Sequence, residues 1–369
     1  MRRRLSCSEV AGNPDTPDDF WTYTAIQGKA EAEGFYAAYP HGIEVKNGDA
    51  LDGPSWNSVG CCGGATADDK AFVLAIVEEV AALGCIDRKR VWASGLSAGG
   101  YFAGYLACVA SETFSAVAIV AGLAGIDVTD KSQCPFSAGS RVLALHSTGD
   151  AEVSYPGGSP GCTTANPGSD MCKNSGEYMG IEPLLAVYAT RQGCANKTEV
   201  VYTKGSGHDS AWKGTGSVTC KAYTNCPSSR AATLCTIEDD AHAWPGAAAI
   251  GGGEKGTDNL VANDAIFRFF STGMISAGSI PNKGSAAQAR TGSPIEPRIC
   301  CRAMTPECLA CTKGVTVAEY CKQNACPSSD PPSAQSANSV ISISSGEHRP
   351  GLRMLAAAMA AALLVPLLV

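Results

Sequence analysis

The chain has 369 residues, of which 45% are hydrophobic, and a net charge of −7. This length allows one large domain with smaller appendages, and the hydrophobic content supports an extensive core. The acidic balance excludes the basic surface with which proteins bind nucleic-acid phosphates, so no nucleic-acid partner is expected.

Eighteen cysteines are scattered along the chain. They are too many for a reduced cytosolic enzyme and do not form one metal-like cluster, so the sequence predicts disulfides in a secreted or cell-surface protein. The sequon Asn196-Lys197-Thr198 agrees with a eukaryotic secretory route and predicts a glycoprotein. The N-terminal segment MRRRLSCSEV has the positive charge of a signal peptide but no apolar core behind it.

Before about residue 275, short apolar segments rich in β-forming residues alternate with segments of helical spacing. The pattern begins with a helix in WTYTAIQGKAEAEGF, a strand in GFYAAYP, a helix in DDKAFVLAIVEEVAALG, a strand in KRVWASG and a helix in AGGYFAGYLACVAS. Strands in FSAVAIVAG and RVLALHS follow, then a helix in IEPLLAVYATRQG, strands in TEVVYTK and AATLCTIE, and a helix in NDAIFRFF. This alternation favours an α/β fold, with a mostly parallel sheet covered by helices on both faces.

Beyond the predicted α/β domain, residues 1–275, the composition changes. Segments 276–298 and 327–353 are rich in Ser, Pro, Ala and Gly and are predicted to be linkers. Between them, residues 299–326 contain six cysteines and no histidine, which favours a small disulfide-stapled module over a zinc site at Cys308 and Cys311. This segment resembles short Cys-rich modules of extracellular algal and protist proteins, a likeness that implies no activity.

The C-terminal residues 354–369, MLAAAMAAALLVPLLV, form an uncharged apolar run. The run is shorter than the roughly 20 residues that a spanning helix needs. Small residues at 344–346 and the polar stretch EHRPGLR precede it, and this order predicts a GPI-anchor signal. A retained tail anchor and a helix packed on the domain are the alternatives.

The sequence Gly95-Leu96-Ser97-Ala98-Gly99 fits the pattern G-x-S-x-G. In a nucleophile elbow, glycines are needed because the serine lies in a strained turn where a strand and a helix nearly touch. A second match, at residues 157–161, has no strand before it and places Pro160 where an N–H is required. The flanking strand and helix therefore favour Ser97 as a nucleophile.

A serine hydroxyl needs a base, and the base needs an orienting carboxylate. The strand RVLALHS runs into a loop with Asp150, and the strand AATLCTIE runs into a loop with His242. The order Ser, Asp, His, with the acid and the base on loops after later strands, is typical of α/β-hydrolases. Glu152, on the same loop as Asp150, is the alternative orienting residue.

The other four histidines are weaker candidates for the base. His146 lies at a strand end, too close to Asp150 in sequence to serve as the base that Asp150 orients. A hydrogen-bonded structural role is preferred for it. His208 has no strand directly before it, His41 precedes the elbow, and His348 belongs to the predicted anchor signal.

Five sequence blocks follow one another along the chain: SWNSVGCCGG, DDKAFVLAIVEEV, IDRKRVWASGLSAGGYFAGYLAC, LALHSTGDAEVSY and AHAWPG. Their order and spacing, between about residues 34 and 271, resemble the esterase family that joins polyhydroxybutyrate depolymerases to feruloyl esterases. The resemblance implies an α/β-hydrolase fold, a serine nucleophile at Ser97, an acid at Asp150 and a histidine at His242. It also implies two-step ester hydrolysis, with one oxyanion donor at the Ala98 N–H and with no metal or organic cofactor.

The N-terminus departs from this family pattern. The second oxyanion donor normally comes from a His-Gly motif after an early strand, and no such strand and motif precede the helix predicted in WTYTAIQGKAEAEGF. An incomplete gene model or a true loss that weakens catalysis would explain this. The CCGG loop, Cys61 to Gly64, is a weaker source of the donor, because its cysteines are expected to fasten the loop by disulfides. Trp56 and Trp244 are candidate substrate walls, or else rim packing.

The leading hypothesis is a secreted or surface-anchored serine esterase acting on a polyester or on feruloyl or acetyl esters of polysaccharides. An acyltransferase that uses a sugar hydroxyl in place of water is an alternative within the enzyme class. The alternative from another class is a catalytically inactive hydrolase scaffold that serves as a cell-surface binding protein. The membrane is expected as a partner through the C-terminal anchor alone.

Overall fold

The computed structural model describes residues 17–40, 42–45, 53–57, 67–83, 86–137, 139–158, 178–205, 216–249, 254–275, 340–341 and 367–368. The helices in these ranges are α1 (Pro17–Thr24), α2 (Ile26–Glu33), α3 (Asp69–Leu83), α4 (Ala98–Val109), α5 (Ile181–Gln192) and α6 (Ala262–Thr272). The first strands are β1 (Ala37–Ala38), β2 (Ile43–Val45), β3 (Gly53–Ser55), β4 (Val91–Leu96), β5 (Phe114–Val120) and β6 (Arg141–Ser147). The later strands are β7 (Gly157–Gly158), β8 (Tyr178–Met179), β9 (Thr198–Lys204), β10 (Val218–Tyr223), β11 (Ala232–Ile237), β12 (Val340–Ile341) and β13 (Leu367–Leu368).

The main sheet of the described chain has the strand order β12-β1-β13-β4-β5-β6-β11-β10-β9. Strands β4, β5, β6 and β11 are parallel neighbours, whereas β10 and β9 are antiparallel. The parallel centre is buried almost completely, which explains why its strands read as continuous apolar runs. The predicted α/β fold with a mostly parallel sheet and packed helices is confirmed.

Helices pack against this parallel centre. Helix α4 contacts β4 and β5, and it is apolar on nearly all sides because most of its residues are buried. Helix α6 contacts β5 and β6 through one apolar stripe, in which every member lies three or four positions from another: Ala262, Ala265, Ile266, Phe269 and Phe270. Helix α5 contacts β6 and β11.

Two local features differ from the sequence-based predictions. The helical pattern of WTYTAIQGKAEAEGF divides into α1 and α2 at Ala25, which has a left-handed backbone with φ of 49°. Strand β10 and the short hairpin of β2 and β3 were not predicted. Strand β10 was missed because its apolar pattern is weak: besides Val218 and Cys220, none of its residues is fully buried.

Three disulfides lie in the described residues. They join Cys108 to Cys134, Cys194 to Cys226, and Cys220 to Cys235. The last pair links the facing positions of β10 and β11. The prediction of disulfides is confirmed for this part of the chain.

Other predictions lie outside the described residues. These are the Cys-rich module at 299–326, the linkers at 276–298 and 327–353 except for β12, the anchor signal except for β13, the CCGG loop, and His41, His208 and His348. Among the residues that the structure does describe, no helix has both the length and the apolar character needed to cross a membrane. In the same residues, no group of three or more His, Cys, Asp or Glu is arranged to hold a metal ion.

Candidate active site

Ser97 occupies a strained turn between β4 and α4. Its backbone has φ of 57° and ψ of −121°, a conformation that L-residues rarely adopt. The turn is held by the Ser97 N–H, which donates to the Val120 carbonyl at 3.0 Å, and by the Tyr101 N–H, which donates to the Ser97 carbonyl at 3.0 Å. A Cβ on Gly95 would lie 2.2 Å from the Gly99 backbone carbonyl, so the strand and the helix can approach this closely only without a side chain there. This geometry is that of a nucleophile elbow.

Asp150 and His242 meet at the same edge of the sheet as Ser97. Ser97 follows β4, Asp150 follows β6 and His242 follows β11, and these parallel strands all end at one edge. The Nδ1 atom of His242 lies 3.0 and 2.9 Å from the two carboxylate oxygens of Asp150. Both side chains are almost fully buried, with 3% and 0% of their surface exposed. The structure therefore brings together two of the three predicted catalytic side chains in hydrogen-bonding contact.

The Asp150 carboxylate is fixed by its own loop. Its Oδ1 atom accepts hydrogen bonds from the backbone N–H groups of Glu152, at 2.9 Å, and Val153, at 2.8 Å. The buried His146 lies on its other side, with Nε2 at 3.5 Å from Oδ2 and at 2.8 Å from the Val153 carbonyl. Burial opposes the ionisation of Asp150, but the charge and hydrogen bond of His242, followed by His146 and the Val153 N–H, bring its pKa below the ordinary value.

The pKa of His242 is raised above its ordinary value. Burial acts to lower it, but the carboxylate of Asp150 outweighs burial, and the carboxylates of Glu152 and Glu254 act in the same direction. Burial lowers the pKa of His146, despite the nearby charge of Asp150. The surroundings thus favour the charged form of His242 and the neutral form of His146.

The Nε2 atom of His242 is the atom that would accept the proton of the serine hydroxyl. This atom is buried and has no hydrogen-bond partner among the described residues, so the hydrogen bond to Ser97 is not formed in this structure. Such bonds are often long in the absence of substrate and shorten when it binds. Glu152, the alternative orienting residue, lies on this side of the ring, with Oε2 at 3.8 Å from Nε2. Asp150 is therefore the carboxylate that orients Nδ1.

Ala98 is the first residue of α4. The first N–H groups of a helix have no acceptor within the helix, so the Ala98 N–H, directly after the serine, is free of the intrahelical ladder. The N-terminal end of the helix also favours negative charge. These are the properties required of an oxyanion donor.

The two tryptophans predicted as substrate walls are packed in the core. Trp56 and Trp244 each have 1% of their surface exposed. The Trp56 ring stacks on Phe102 at 4.5 Å, and the Trp244 Nε1–H donates to Asn263 at 3.0 Å. Neither indole offers an open face to a substrate in this structure, which corrects that expectation in favour of the packing alternative.

Tyr23 supports the histidine loop and was missed by the sequence analysis. Its hydroxyl donates to the Glu254 carbonyl at 2.6 Å and accepts from the Trp244 N–H at 2.9 Å. The Glu254 carboxylate in turn accepts the backbone N–H of His242 at 3.1 Å. Helix α1 is therefore tied to Trp244, two positions after His242, and to Glu254, which binds the His242 backbone, although 221 positions separate Tyr23 from Trp244. No local pattern in the sequence reports a contact of this range.

Comparison with known proteins agrees with this geometry. The sequence model of the prolyl oligopeptidase family (Peptidase_S9) matches residues 32–155, about a third of the chain, which includes the elbow and the Asp150 loop. Feruloyl esterase B of Piromyces equi is 26% identical over 223 residues, which are 60% of this chain and 37% of that protein. A probable feruloyl esterase C of Aspergillus clavatus is 30% identical over 159 residues, which are 41% of this chain and 53% of that protein.

A probable feruloyl esterase C of Aspergillus terreus is 26% identical over 216 residues, covering 56% of this chain and 67% of that protein. The chain thus spans between roughly a third and two thirds of the length of these relatives. The chain has an α/β-hydrolase-type fold and is similar, over part of its length, to proteins named feruloyl esterases.

Proposed function

We propose that the protein is a serine carboxylic ester hydrolase that works through an acyl-enzyme on Ser97. The observation that carries the proposal is the buried hydrogen bond between Asp150 and His242, at 2.9 Å, on the sheet edge where Ser97 occupies a strained elbow. A buried ionised acid bound to Nδ1 leaves Nε2 free to act as a base, which is the arrangement required to activate a hydroxyl.

In the first step, His242 Nε2 takes the proton of the Ser97 hydroxyl as its oxygen attacks the ester carbonyl. The Ala98 N–H stabilises the oxyanion that forms, a donor whose loss typically costs about 10² to 10³ in kcat. His242 then protonates the leaving alcohol, which leaves an acyl group on Ser97. Water, deprotonated by the same Nε2, releases the acid and restores the serine. Asp150 stabilises the imidazolium in both steps.

Feruloyl or acetyl esters of polysaccharides are the substrate class that we favour. The three relatives are named feruloyl esterases, and these names favour polysaccharide esters over a hydroxyalkanoate polyester. The match to the prolyl oligopeptidase family makes peptides the second candidate class.

A substrate panel tests this proposal. Purified protein is incubated with methyl ferulate, p-nitrophenyl acetate, hydroxybutyrate oligomers and a blocked prolyl p-nitroanilide. We expect hydrolysis of the first two, and loss of at least about 10³-fold in kcat/KM in Ser97→Ala. Ser228→Ala, at an exposed turn, is the control and retains activity. If the protein cleaved the anilide and none of the esters, the esterase proposal would be wrong and a peptidase would be indicated.

An inactive scaffold and an acyltransferase give different results in the same assay. A folded wild-type protein that hydrolyses none of the substrates would support the scaffold and end the esterase proposal. Transfer of the acyl group to an added sugar in preference to water would identify an acyltransferase. The inactive scaffold is supported by one observation: His242 Nε2 makes no hydrogen bond to Ser97 in this structure.

We also propose that the protein is secreted, glycosylated at Asn196 and held at the cell surface by a lipid anchor. The three disulfides support an oxidising compartment. Asn196 is exposed, in a bend before β9. A mass decrease on treatment with peptide N-glycosidase that is lost in Asn196→Gln would establish the glycan.

Release from membranes by a phosphatidylinositol-specific phospholipase is expected for the anchor, and persistent binding would indicate a retained tail.

A further inference from the structure

Two buried polar atoms face each other on the Nε2 side of the histidine. The Glu152 Oε2 and the His242 Nε2 lie 3.8 Å apart. Each is shielded from solvent and has no hydrogen-bond partner among the described residues. The side chains as a whole are 15% and 3% exposed. A carboxylate oxygen and an imidazole nitrogen left unpaired at this distance are each other's most obvious partner, because burying either alone is costly.

The loop that presents Asp150 also fixes the position of Glu152. The Glu152 N–H donates to Asp150 Oδ1, and the Val153 N–H donates to the same atom. These bonds close a tight turn with Asp150 at its start. The imidazole of His242 therefore has a carboxylate on each side, Asp150 at Nδ1 and Glu152 at Nε2.

Other ionisable groups surround the ring. Glu254, from the segment before α6, accepts the His242 backbone N–H, and burial raises the pKa of its carboxyl. His146, on β6, is buried beyond Asp150 and has a lowered pKa, so it adds little positive charge. Asp240, two positions before His242, accepts the Thr257 N–H through its Oδ2 at 2.8 Å. Of the groups around the ring, the carboxylates of Asp150, Glu152 and Glu254 favour a positive charge on His242.

We propose that Glu152 is a positioning residue that holds the imidazolium of His242 from the Nε2 side in the resting protein and gives up Nε2 to the Ser97 hydroxyl when substrate binds. This inference rests on the proposed function, because it assigns Nε2 to Ser97 during the reaction. Release of one proton from Nε2 to solvent frees the base. The carboxylate then remains close to the imidazolium that forms again when Ser97 is acylated.

The two effects of this carboxylate have opposite signs. In the resting protein it stabilises the protonated histidine, so less free base is present at low pH and activity there is reduced. In the transition state it stabilises the developing imidazolium, so the rate at high pH is increased. Removal of the charge should therefore raise activity on the acidic side and lower it on the alkaline side. A purely structural role for Glu152 would lower activity at every pH.

Glu152→Gln tests the proposal, because it keeps the shape of the side chain and removes the charge. We expect the pH at which kcat/KM reaches half its maximum to fall by about one to three pH units, as for an opposite charge at this distance. We also expect kcat above that pH to fall severalfold, so that the wild-type and variant profiles cross. Glu152→Asp should restore part of both effects. Glu79→Gln, on the exposed side of α3, removes one charge at a remote position and should leave the profile unchanged.

A second measurement is independent of turnover. In Ser97→Ala protein with labelled histidine, NMR follows the titration of His242, whose signal is identified by its loss in His242→Gln. Glu152→Gln, and Glu152→Ala as a second variant, should both lower the titration midpoint by the same one to three pH units. Unchanged midpoints would overturn the proposal, even if the protein proves to be an esterase. Lowered midpoints in a protein without esterase activity would end the proposed function but keep the electrostatic role of Glu152.

Discussion

Asp150 is the residue on which the geometry of the candidate site depends most. Its carboxylate accepts two backbone N–H groups and the Nδ1–H of His242, and it does so with no exposed side-chain surface. These bonds to the charged form outweigh burial and lower its pKa. The acid is thus ionised across the physiological range, and it fixes both the tautomer and the orientation of the histidine.

Asp150→Asn should leave the fold intact and reduce kcat for methyl ferulate by roughly 10⁴-fold, since an amide stabilises the wrong tautomer of the histidine. Steady-state kinetics measure this effect. The matched control is Asp87→Asn, which removes an exposed ion pair with Arg90 and should have no measurable effect. A loss of less than tenfold in a folded Asp150→Asn protein would show that Asp150 does not orient the base.

The pH dependence of the wild-type protein follows from the raised pKa of His242. The reaction needs the neutral imidazole, and the raised pKa keeps the ring protonated to higher pH. Activity should therefore increase with pH and reach half its maximum above about pH 6.5, the ordinary value for histidine. A profile of kcat/KM between pH 4 and 10 measures it. Half-maximal activity well below pH 6 would contradict the electrostatics of the site.

Much of the site's position could be predicted from the sequence, because Ser97 directly follows a strongly apolar strand, and Asp150 and His242 lie on the loops after two more. Strand order and loop position were therefore enough to place all three at one edge of the sheet. The sequence favoured Asp150 and left Glu152 as the alternative, because the directions of two side chains on one loop cannot be determined from their positions alone. It also gave no sign that Trp56 and Trp244 would be buried, since an aromatic residue next to a site is equally compatible with packing.

At the scale of elements, the elbow between β4 and α4 is the most constrained junction. Gly95→Ala would place a Cβ at 2.2 Å from the Gly99 carbonyl group, which belongs to the backbone and cannot move aside without displacing the helix. We expect a loss of about 1 to 3 kcal/mol in the free energy of unfolding, typical of overpacking. Urea unfolding measures it.

Gly28→Ala is the matched control for this prediction. Gly28 lies in α2, and a Cβ there would have no atom within 4 Å. Alanine is the better helix former by about 1 kcal/mol, so this variant should be as stable as the wild type or more so. Equal stability of the Gly95→Ala and Gly28→Ala proteins would mean that β4 and α4 do not approach as closely as described.

The central strands and α6 could be predicted from the sequence for a simple physical reason. Strands β4, β5, β6 and β11 are buried on both faces, so they must be apolar throughout, and α6 must carry an apolar stripe to cover them. Strand β10 is largely unburied and lacks that constraint, which is why it was missed. The break at Ala25 lies two positions after Tyr23, which contacts the distant Trp244, and no local pattern in the sequence predicts it.

At the scale of the whole molecule, the three disulfides of the described residues link separate segments of the chain. The bridges span 26, 32 and 15 positions, and each restricts the unfolded chain by an amount typically worth about 2 to 4 kcal/mol. Reduction should therefore lower the melting temperature markedly, as measured by circular dichroism with and without a thiol reductant. Paired replacement of Cys194 and Cys226 by alanine should reproduce part of this shift. An unchanged melting temperature after complete reduction would contradict a stabilising role.

The match to the prolyl oligopeptidase family, residues 32–155, includes the parallel strands β4, β5 and β6. The family-model match includes Ser97 and Asp150, and the relatives carry feruloyl esterase names. The proposed activity therefore depends on whether residues from three separate loops act as one group. The strand order places Ser97, Asp150 and His242 at one edge of the sheet. The central claim is that these three side chains react as one catalytic group.

Labelling with a fluorophosphonate, followed by peptide mass spectrometry, tests this claim most directly. The reagent reacts with a serine only when a histidine base and an oxyanion site activate it. We predict one adduct per chain, on the peptide that contains Ser97, with none in Ser97→Ala and strongly slowed formation in His242→Ala. A folded wild-type protein that forms no adduct, or forms it at another serine, would contradict the account.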